Sequence, residues 1–170
     1  MPELPEVEVC RLGISPHIIK QQVSEVIVRN ASLRWPIPQD VQTIKGQEVL
    51  SVERRSKYLL LGFNTGTLLL HLGMSGTLRI IDSSVPVAKH DHFDLVFSHG
   101  KVLRLNDPRR FGAVLWLDNH EDVQGLLTRL GPEPLTDDFS DGYLFAKAKN
   151  RKVPIKTFLM NNQVVVGVGN

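Results

Sequence analysis

The sequence predicts a mainly β protein with flanking helices, an α+β fold built around an antiparallel eight-stranded β-sandwich. Three observations support this prediction. The N-terminal segment has helical character, eight short segments rich in aliphatic and β-branched residues follow it, and turn sequences separate many of those segments. After residue 118 the pattern becomes helical. We therefore expect a β-sandwich domain over residues 1–118 and a helical connector over residues 119–170.

Residues 5–19 form the predicted first helix. Pro5 suits the first turn, where the missing amide would have no helical partner. Gly13 and Pro16 predict a weakened or kinked second half. The predicted buried stripe is imperfect and comprises Val7, Leu12, Ile14 and Ile18.

Eight strands follow in close succession, with turn signals such as Asn64-Thr65-Gly66 and Ser98-His99-Gly100 between many of them. Closely spaced hairpins of this kind are typical of an antiparallel sandwich or barrel. The predicted strands are 23–28, 49–54, 58–63, 67–72, 77–81, 93–97, 102–105 and 113–117.

The last fifty residues predict helices at 120–130, 141–149 and 154–160, with the stiff connector Gly131-Pro132-Glu133-Pro134 after the first. The final residues, an apolar run closing on Gly169-Asn170, are typical of the entry to a further element, with Asn170 as its N-cap. We therefore expect the chain to be part of a longer protein.

Composition restricts the functional classes. The 20 basic and 18 acidic residues nearly cancel, so net charge alone does not indicate nucleic acid. No apolar run is long enough to span a membrane, and the acidic N-terminus is unlike a signal peptide. The single cysteine, Cys10, excludes an internal disulfide and a four-cysteine zinc site within these residues. We expect a cytoplasmic protein without a membrane partner.

Pro2 is the first candidate for chemistry. Removal of Met1 would leave a secondary amine, and α-amino groups have a pKa of roughly 7.7–8.0, low enough for a nucleophilic fraction near neutral pH. Attack on a sugar C1′ would form an iminium ion, which acts as an electron sink. Glu3 lies beside it and could transfer protons. Many proteins begin Met-Pro without using the amine, so Pro2 alone is weak support.

Basic and loop residues supply further candidates, each with a structural alternative. We expect the segment from Arg54 to Tyr58 to enter a strand. Within it, Lys57 is either a solvated charge at the sheet edge or a functional residue that contacts a phosphate or donates a proton. His71 and Met74 flank a glycine-rich turn. A lone histidine such as His71 is more often structural than a phosphate contact, and Met74 is either core or a wedge in a base stack. His90 and His92 would share one face of an extended segment, but two ligands do not make a metal site.

The segment Asp107-Pro108-Arg109-Arg110-Phe111-Gly112 is the most informative internal motif. Asp-Pro opens a turn and Gly112 closes it. Arg109 could pair with a base edge or a phosphate, and Phe111 could insert as a wedge. Alternatively, Phe111 packs into the sandwich and the arginines are solvated. A later basic run that includes Arg151 is either a solvated helix face or a path for a DNA backbone.

The chain resembles the bacterial formamidopyrimidine-DNA glycosylases, which remove 8-oxoguanine and ring-opened purines. The resemblance covers the whole chain. It rests on the N-terminal motif Met1 to Glu8, Lys57, and the motifs His71 to Gly76, Asp107 to Gly112, Leu130 to Leu135 and Gly167 to Asn170.

The resemblance implies a role for each candidate. Pro2 would be the Schiff-base nucleophile, Glu3 the proton donor in base release and Lys57 the proton donor for β-elimination. The partner would be damaged double-stranded DNA, bound by a monomer. Four residues would contact DNA phosphates: His71, His90, Arg151 and Asn170. Three others would fill the gap left by the everted nucleotide: Met74, Arg109 and Phe111.

The family continues into a helix–two-turn–helix domain and a four-cysteine zinc finger beyond these residues. The resemblance therefore implies no cofactor in this chain and one zinc ion in the remainder of the parent protein. Two other functions stay open from the residues: a non-catalytic DNA-binding module, and a small-molecule enzyme that uses Pro2 as a general base.

Overall fold

The computed structural model describes residues 1–118 and 125–170. The first helix, α1, spans Leu4–Ile18, within one residue of the prediction. All eight predicted strands are confirmed, with ends that differ by at most two residues. They are β1 Val23–Val28, β2 Ser51–Arg55, β3 Tyr58–Gly62, β4 Gly66–His71, β5 Thr77–Asp82, β6 Asp91–Phe97, β7 Lys101–Asn106 and β8 Ala113–Asp118.

The strands form two four-stranded antiparallel sheets, as the predicted sandwich requires. One has the order β1-β6-β7-β5 and the other β2-β3-β4-β8. Their apolar side chains meet in one core, because aliphatic and aromatic residues of both sheets are fully buried there; they include Leu59, Leu61, Leu68, Leu70, Phe93, Leu95, Phe97, Leu103 and Leu105. Helix α1 adds Val7, Ile14 and Ile18 to this core.

Three details of the sequence prediction are wrong. Leu12 is 56% exposed and does not belong to the buried stripe of α1. A 3₁₀ helix at Gln39–Ile44 was not anticipated, although it buries Val41 and Ile44. The segment from Arg54 to Tyr58 is not one strand: Arg55 pairs with Tyr58, so Ser56 and Lys57 form a two-residue hairpin turn, and Ser56 has a φ of 54°.

The chain divides into two compact units, Met1–Glu121 and Asp122–Asn170. In the second, α2 spans Asp141–Ala148 and α3 spans Ile155–Leu159, close to two of the predicted helices. Ser140 caps α2 by accepting a hydrogen bond from the Tyr143 amide at 3.1 Å. The small core of this unit contains Phe158, Val164 and Val165. The predicted helix 120–130 lies partly outside the described residues, and its described part, 125–130, is not an α-helix but a 3₁₀-like turn and loop.

Within the described ranges, no helix is long and apolar enough to cross a membrane.

Candidate active site and DNA interface

The N-terminus of α1 carries two of the three predicted catalytic residues. Glu3 is the N-cap of the helix, and the half-buried Pro2 directly precedes Glu3. The Glu6 carboxylate accepts a hydrogen bond from the Glu3 amide at 2.9 Å, and the Glu3 carbonyl accepts one from the Val7 amide at 3.0 Å. These bonds tie the backbone next to Pro2 to a regular helix, which is the rigid support that an active site requires.

Lys57 contacts Glu3. The Lys57 Nζ lies 2.5 Å from Glu3 Oε2, and both side chains remain partly accessible, at 20% and 29%. The sequence alone left Lys57 as either a solvated edge charge or a functional residue. The structure brings it instead beside the N-terminus, across 54 residues of sequence. All three predicted catalytic residues, Pro2, Glu3 and Lys57, thus belong to one cluster.

A second ion-pair group, which the sequence analysis missed, fixes the hairpin turn that carries Lys57. The Glu8 carboxylate accepts hydrogen bonds from Arg11 Nη2 at 2.6 Å and from Arg54 Nε at 2.8 Å. Arg54 Nη1 also donates to the carbonyl of Ser56 at 2.9 Å. Helix α1 is therefore linked through Arg54 to the turn beside Lys57. Hydrogen bonds from Arg11, opposed by burial and assisted by Arg54, lower the pKa of Glu8 to about 2.

His71 lines a mainly apolar pocket of about 330 Å³ together with Met1, Arg34, Gly73, Met74 and Phe111. Burial, together with the nearby charges of Arg34 and Lys57, lowers the pKa of His71 to about 4. Its Nδ1 accepts a hydrogen bond from the Gly73 amide at 3.0 Å. The ring is therefore neutral near pH 7, and its Nε2–H is left as a donor. Sequence reasoning alone favoured a structural role for a lone histidine.

This lowered pKa predicts a pH dependence of stability. His71 takes up a proton near pH 6.5 in the unfolded chain but only near pH 4 in the folded chain. Its contribution to the free energy of unfolding is therefore complete above pH 6.5 and is lost as the pH falls towards 4. His71→Asn keeps an acceptor for the Gly73 amide but does not titrate. We expect chemical denaturation to show a smaller loss of stability between pH 6.5 and 4 for this variant. His17→Asn, at an exposed position, is the control, and equal slopes for His71→Asn and the unmodified chain would contradict the prediction.

Two loops next to this pocket expose the side chains predicted to enter DNA. Met74 is 41% and Phe111 46% exposed. The Arg109 guanidinium lies 4.8 Å from the centroid of the Phe111 ring, a cation–π geometry. The alternatives in which Met74 is core and Phe111 packs into the sandwich are therefore wrong. A second pocket, of about 370 Å³, is lined by Ser32, Leu33, Arg34, Arg109, Arg110 and Phe111.

His90 and His92 do not share an extended face. His90 lies in a turn with a φ of 74°, whereas His92 is buried and its Nε2 contacts the carbonyl oxygen of Asp107 at 2.9 Å. Among residues 1–118 and 125–170, no group of three or more His, Cys, Asp or Glu could hold a metal ion. His90 stays partly accessible, as a phosphate contact would require.

The two remaining predicted DNA contacts belong to the second unit. Arg151 is exposed just after α2, and its Nε donates to the Lys147 carbonyl at 3.3 Å. Asn170 is exposed at the last residue. Their roles stay predictions.

Comparison with known proteins places these features in a family. The family model described as the formamidopyrimidine-DNA glycosylase N-terminal domain matches residues 1–114, about two thirds of the chain.

The chain belongs to this family.

A formamidopyrimidine-DNA glycosylase of Colwellia psychrerythraea is 78% identical over 170 residues, and one of Shewanella halifaxensis is 58% identical over the same length. The chain spans 63% of the length of each of these curated relatives. Among solved structures, a Lactococcus lactis glycosylase of this family, non-covalently bound to DNA containing an AP site, superposes with a TM-score of 0.90 at 27% identity. That match covers 99% of this chain and 66% of the other. The same bacterial enzyme in complex with DNA containing FAPY-dG gives a TM-score of 0.89.

Proposed function

We propose that this chain carries the catalytic residues of a bifunctional DNA glycosylase and AP lyase that acts in base-excision repair. The observation that carries the proposal is the contact between Glu3 and Lys57 beside Pro2. A nucleophilic amine, a carboxyl group and an ammonium group in one partly accessible cluster match the needs of base excision followed by strand cleavage. Family membership and the relatives bound to lesion-containing DNA support the same reaction class.

In the proposed reaction, the free amine of Pro2 attacks C1′ of the damaged nucleotide. The bond between C1′ and the base breaks, and Glu3 donates the proton that the departing base needs. The amine proton is transferred to the ring oxygen as the bond between C1′ and that oxygen breaks, which gives an iminium ion between Pro2 and an opened sugar with a free hydroxyl. The iminium makes the C2′ proton acidic. Loss of that proton breaks the bond between C3′ and the 3′ phosphate, and Lys57 donates a proton to the departing phosphate oxygen. A second elimination, with loss of the C4′ proton, expels the 5′ phosphate, and water hydrolyses the remaining iminium to release the sugar fragment and restore the amine of Pro2.

We further propose that the substrates are oxidised purines, 8-oxoguanine and formamidopyrimidines, in duplex DNA. A base inside a duplex is inaccessible to Pro2, so the nucleotide must be everted. Met74, Arg109 and Phe111 are exposed on two neighbouring loops and would fill the gap, with Arg109 facing the orphaned cytosine. His71 and His90, with Arg151 and Asn170 of the second unit, would bind phosphates.

The parent protein would act as a monomer, and its zinc ion would be held by residues that follow position 170.

The test uses the full-length parent protein without Met1 and a duplex with one 8-oxoguanine opposite cytosine. Strand cleavage should be lesion-dependent, and Lys57→Met should reduce its rate by about 10²- to 10⁴-fold, the usual contribution of a positioned proton donor. Lys57→Arg keeps the cation and separates loss of charge from loss of the proton donor. Lys45→Met, at an exposed position outside the cluster, is the control. Salt-dependent binding without base release or cleavage would indicate the non-catalytic module instead.

A further inference from the structure

Three turns that carry proposed DNA contacts meet at one fully buried residue, Asp107. Its side-chain Oδ1 accepts a hydrogen bond from Ser75 Oγ at 2.7 Å, and its Oδ2 accepts one from the Gly112 amide at 2.8 Å. Its backbone amide donates to the carbonyl of His90 at 3.0 Å. Asp107 therefore contacts the Met74 turn, closes its own Arg109–Phe111 loop, and binds the turn of His90.

Ser75 joins the first two of these turns through its hydroxyl group. The hydroxyl donates to Asp107 and also accepts a hydrogen bond from the Arg109 amide at 3.1 Å. Ser75 directly follows Met74 in the chain, so one hydroxyl connects the backbone beside Met74 to the backbone of Arg109. Neither the hydroxyl of Ser75 nor the carboxylate of Asp107 is used in the proposed chemistry.

The same two turns also touch through their backbones. Gly73 has a φ of 60°, and a Cβ at that position would lie 2.5 Å from the Gly112 amide nitrogen. Only glycine allows this approach. The Met74 turn and the Arg109–Phe111 loop thus pack against each other directly, in addition to the hydrogen bonds through Ser75 and Asp107.

We propose that Ser75 and Asp107 are positioning residues that make Met74, Arg109 and Phe111 enter the duplex as one unit, and that this coupling sets the discrimination of the base opposite the lesion. The inference rests on the proposed function. A guanidinium group reads a base edge only when it is placed to within about 0.5 Å, which requires a supporting shell of hydrogen bonds. If the loops moved independently, Met74 and Phe111 could still fill the gap while Arg109 lost its alignment.

The experiment compares Ser75→Ala with the unmodified full-length protein lacking Met1, on 8-oxoguanine placed opposite cytosine and opposite adenine. Loss of one hydrogen bond in the shell should reduce the cytosine-to-adenine ratio of kcat/KM by about fivefold to tenfold. Ser75→Thr keeps the hydroxyl and should restore the ratio. Ser24→Ala is the control, because the Ser24 hydroxyl also donates one hydrogen bond, in this case to the backbone carbonyl of Val96 at 3.1 Å, at an exposed position of β1 outside the proposed DNA-binding turns.

A second substrate separates the two hypotheses. Borohydride trapping of the unmodified protein on a preformed abasic site tests the Pro2 chemistry without recognition of a damaged base. Absence of trapping by the unmodified protein overturns the proposed function and this inference with it. Normal trapping with an unchanged opposite-base ratio in Ser75→Ala overturns the inference alone, as does an equal loss opposite both bases. If Ser75→Ala lowers the unfolding midpoint more than Ser24→Ala does, Ser75→Cys, which keeps the volume with only a weak donor, takes its place in the same assay.

Discussion

Two preparations of the full-length protein that differ only in the presence of Met1 should differ by more than about 10³-fold in covalent trapping on damaged DNA. With Met1 attached, the Pro2 nitrogen is part of an amide, its lone pair is delocalised, and it cannot form an iminium ion. After removal of Met1, the same nitrogen is a secondary amine beside Glu3 and Lys57. The retained Met1 side chain is 65% exposed and also lines the pocket of His71 and Phe111. Borohydride reduction of the reaction mixture, followed by mass mapping of the adduct, measures the difference.

The control for this comparison is binding rather than chemistry. Both preparations should bind an uncleavable abasic-site analogue with affinities that fall together as salt increases, because the phosphate contacts proposed for His71 and His90 are the same in both. Their unfolding midpoints should also agree, since the Glu3 amide is bonded to Glu6 in either form. An adduct that maps to a lysine, or equal trapping by the Met1-retaining preparation, would remove Pro2 from its proposed role.

The sandwich could be predicted from the sequence because its signals are local. Short aliphatic runs such as Leu59-Leu60-Leu61 and Leu68-Leu69-Leu70 lie between turn signals, and such runs indicate strands without knowledge of their partners. The order of the strands in the two sheets could not be predicted in the same way. β1 pairs with β6 and β5 with β7, and such pairings depend on packing between distant segments that no local pattern records.

The turn at Ser56 and Lys57 shows why the site was only partly predictable. Two-residue hairpin turns usually contain glycine, asparagine or aspartate, since these residues tolerate positive φ. Here Ser56 takes that conformation, while Arg54 binds its carbonyl and Glu8 holds Arg54. The local sequence resembles a strand, and the interactions that override it come from helix α1.

The candidate residues and their geometry came from different sources. The residues themselves offered roles for Pro2, Glu3 and Lys57, and the resemblance to the family selected among the alternatives, whereas the contact between Glu3 and Lys57 required the structure. The exposure of Phe111 was undecided from sequence alone, because an aromatic residue in a turn suits either a core or a surface. The hydrogen bonds of Asp107 had no sequence signal beyond its position before proline.

The largest effect on stability is expected at Asp94, which lies 1% exposed within the sheet of β6 and β7. Its carboxylate accepts hydrogen bonds from Arg104 Nε and Nη2, both at 2.9 Å, and from Arg29 Nη2 at 2.7 Å. Asp94→Ala would leave the buried Arg104 with one carboxylate, that of Asp91 at 3.7 Å, and with the backbone carbonyls of Val85 and Pro86, to which its Nη1 donates at 3.3 and 3.2 Å. Removing one partner of a buried pair typically costs about 3–5 kcal/mol. Asp82→Ala is the control, because its ion pair with Lys101 is exposed and should contribute at most about 1 kcal/mol.

The destabilisation caused by Asp94→Ala should also depend on pH, and it should be smaller in acid than at pH 7. Burial alone would raise the pKa of Asp94, but hydrogen bonds from Arg29 and Arg104 outweigh it, so the pKa lies below its ordinary value. The stabilisation is therefore complete above the unfolded pKa of about 3.9 and is lost as the pH falls through the folded value. Urea denaturation of the chain at pH 7 and in acid should show the difference between Asp94→Ala and the unmodified protein narrowing in acid. A difference at pH 7 no larger than that of Asp82→Ala would contradict the prediction.

The ion pair of Asp94 and Arg104 also supports the proposed DNA-binding turns. β6 begins directly after His90 and β7 ends directly before Asp107, so the contact between Asp94 and Arg104 fixes the strands from which these turns extend.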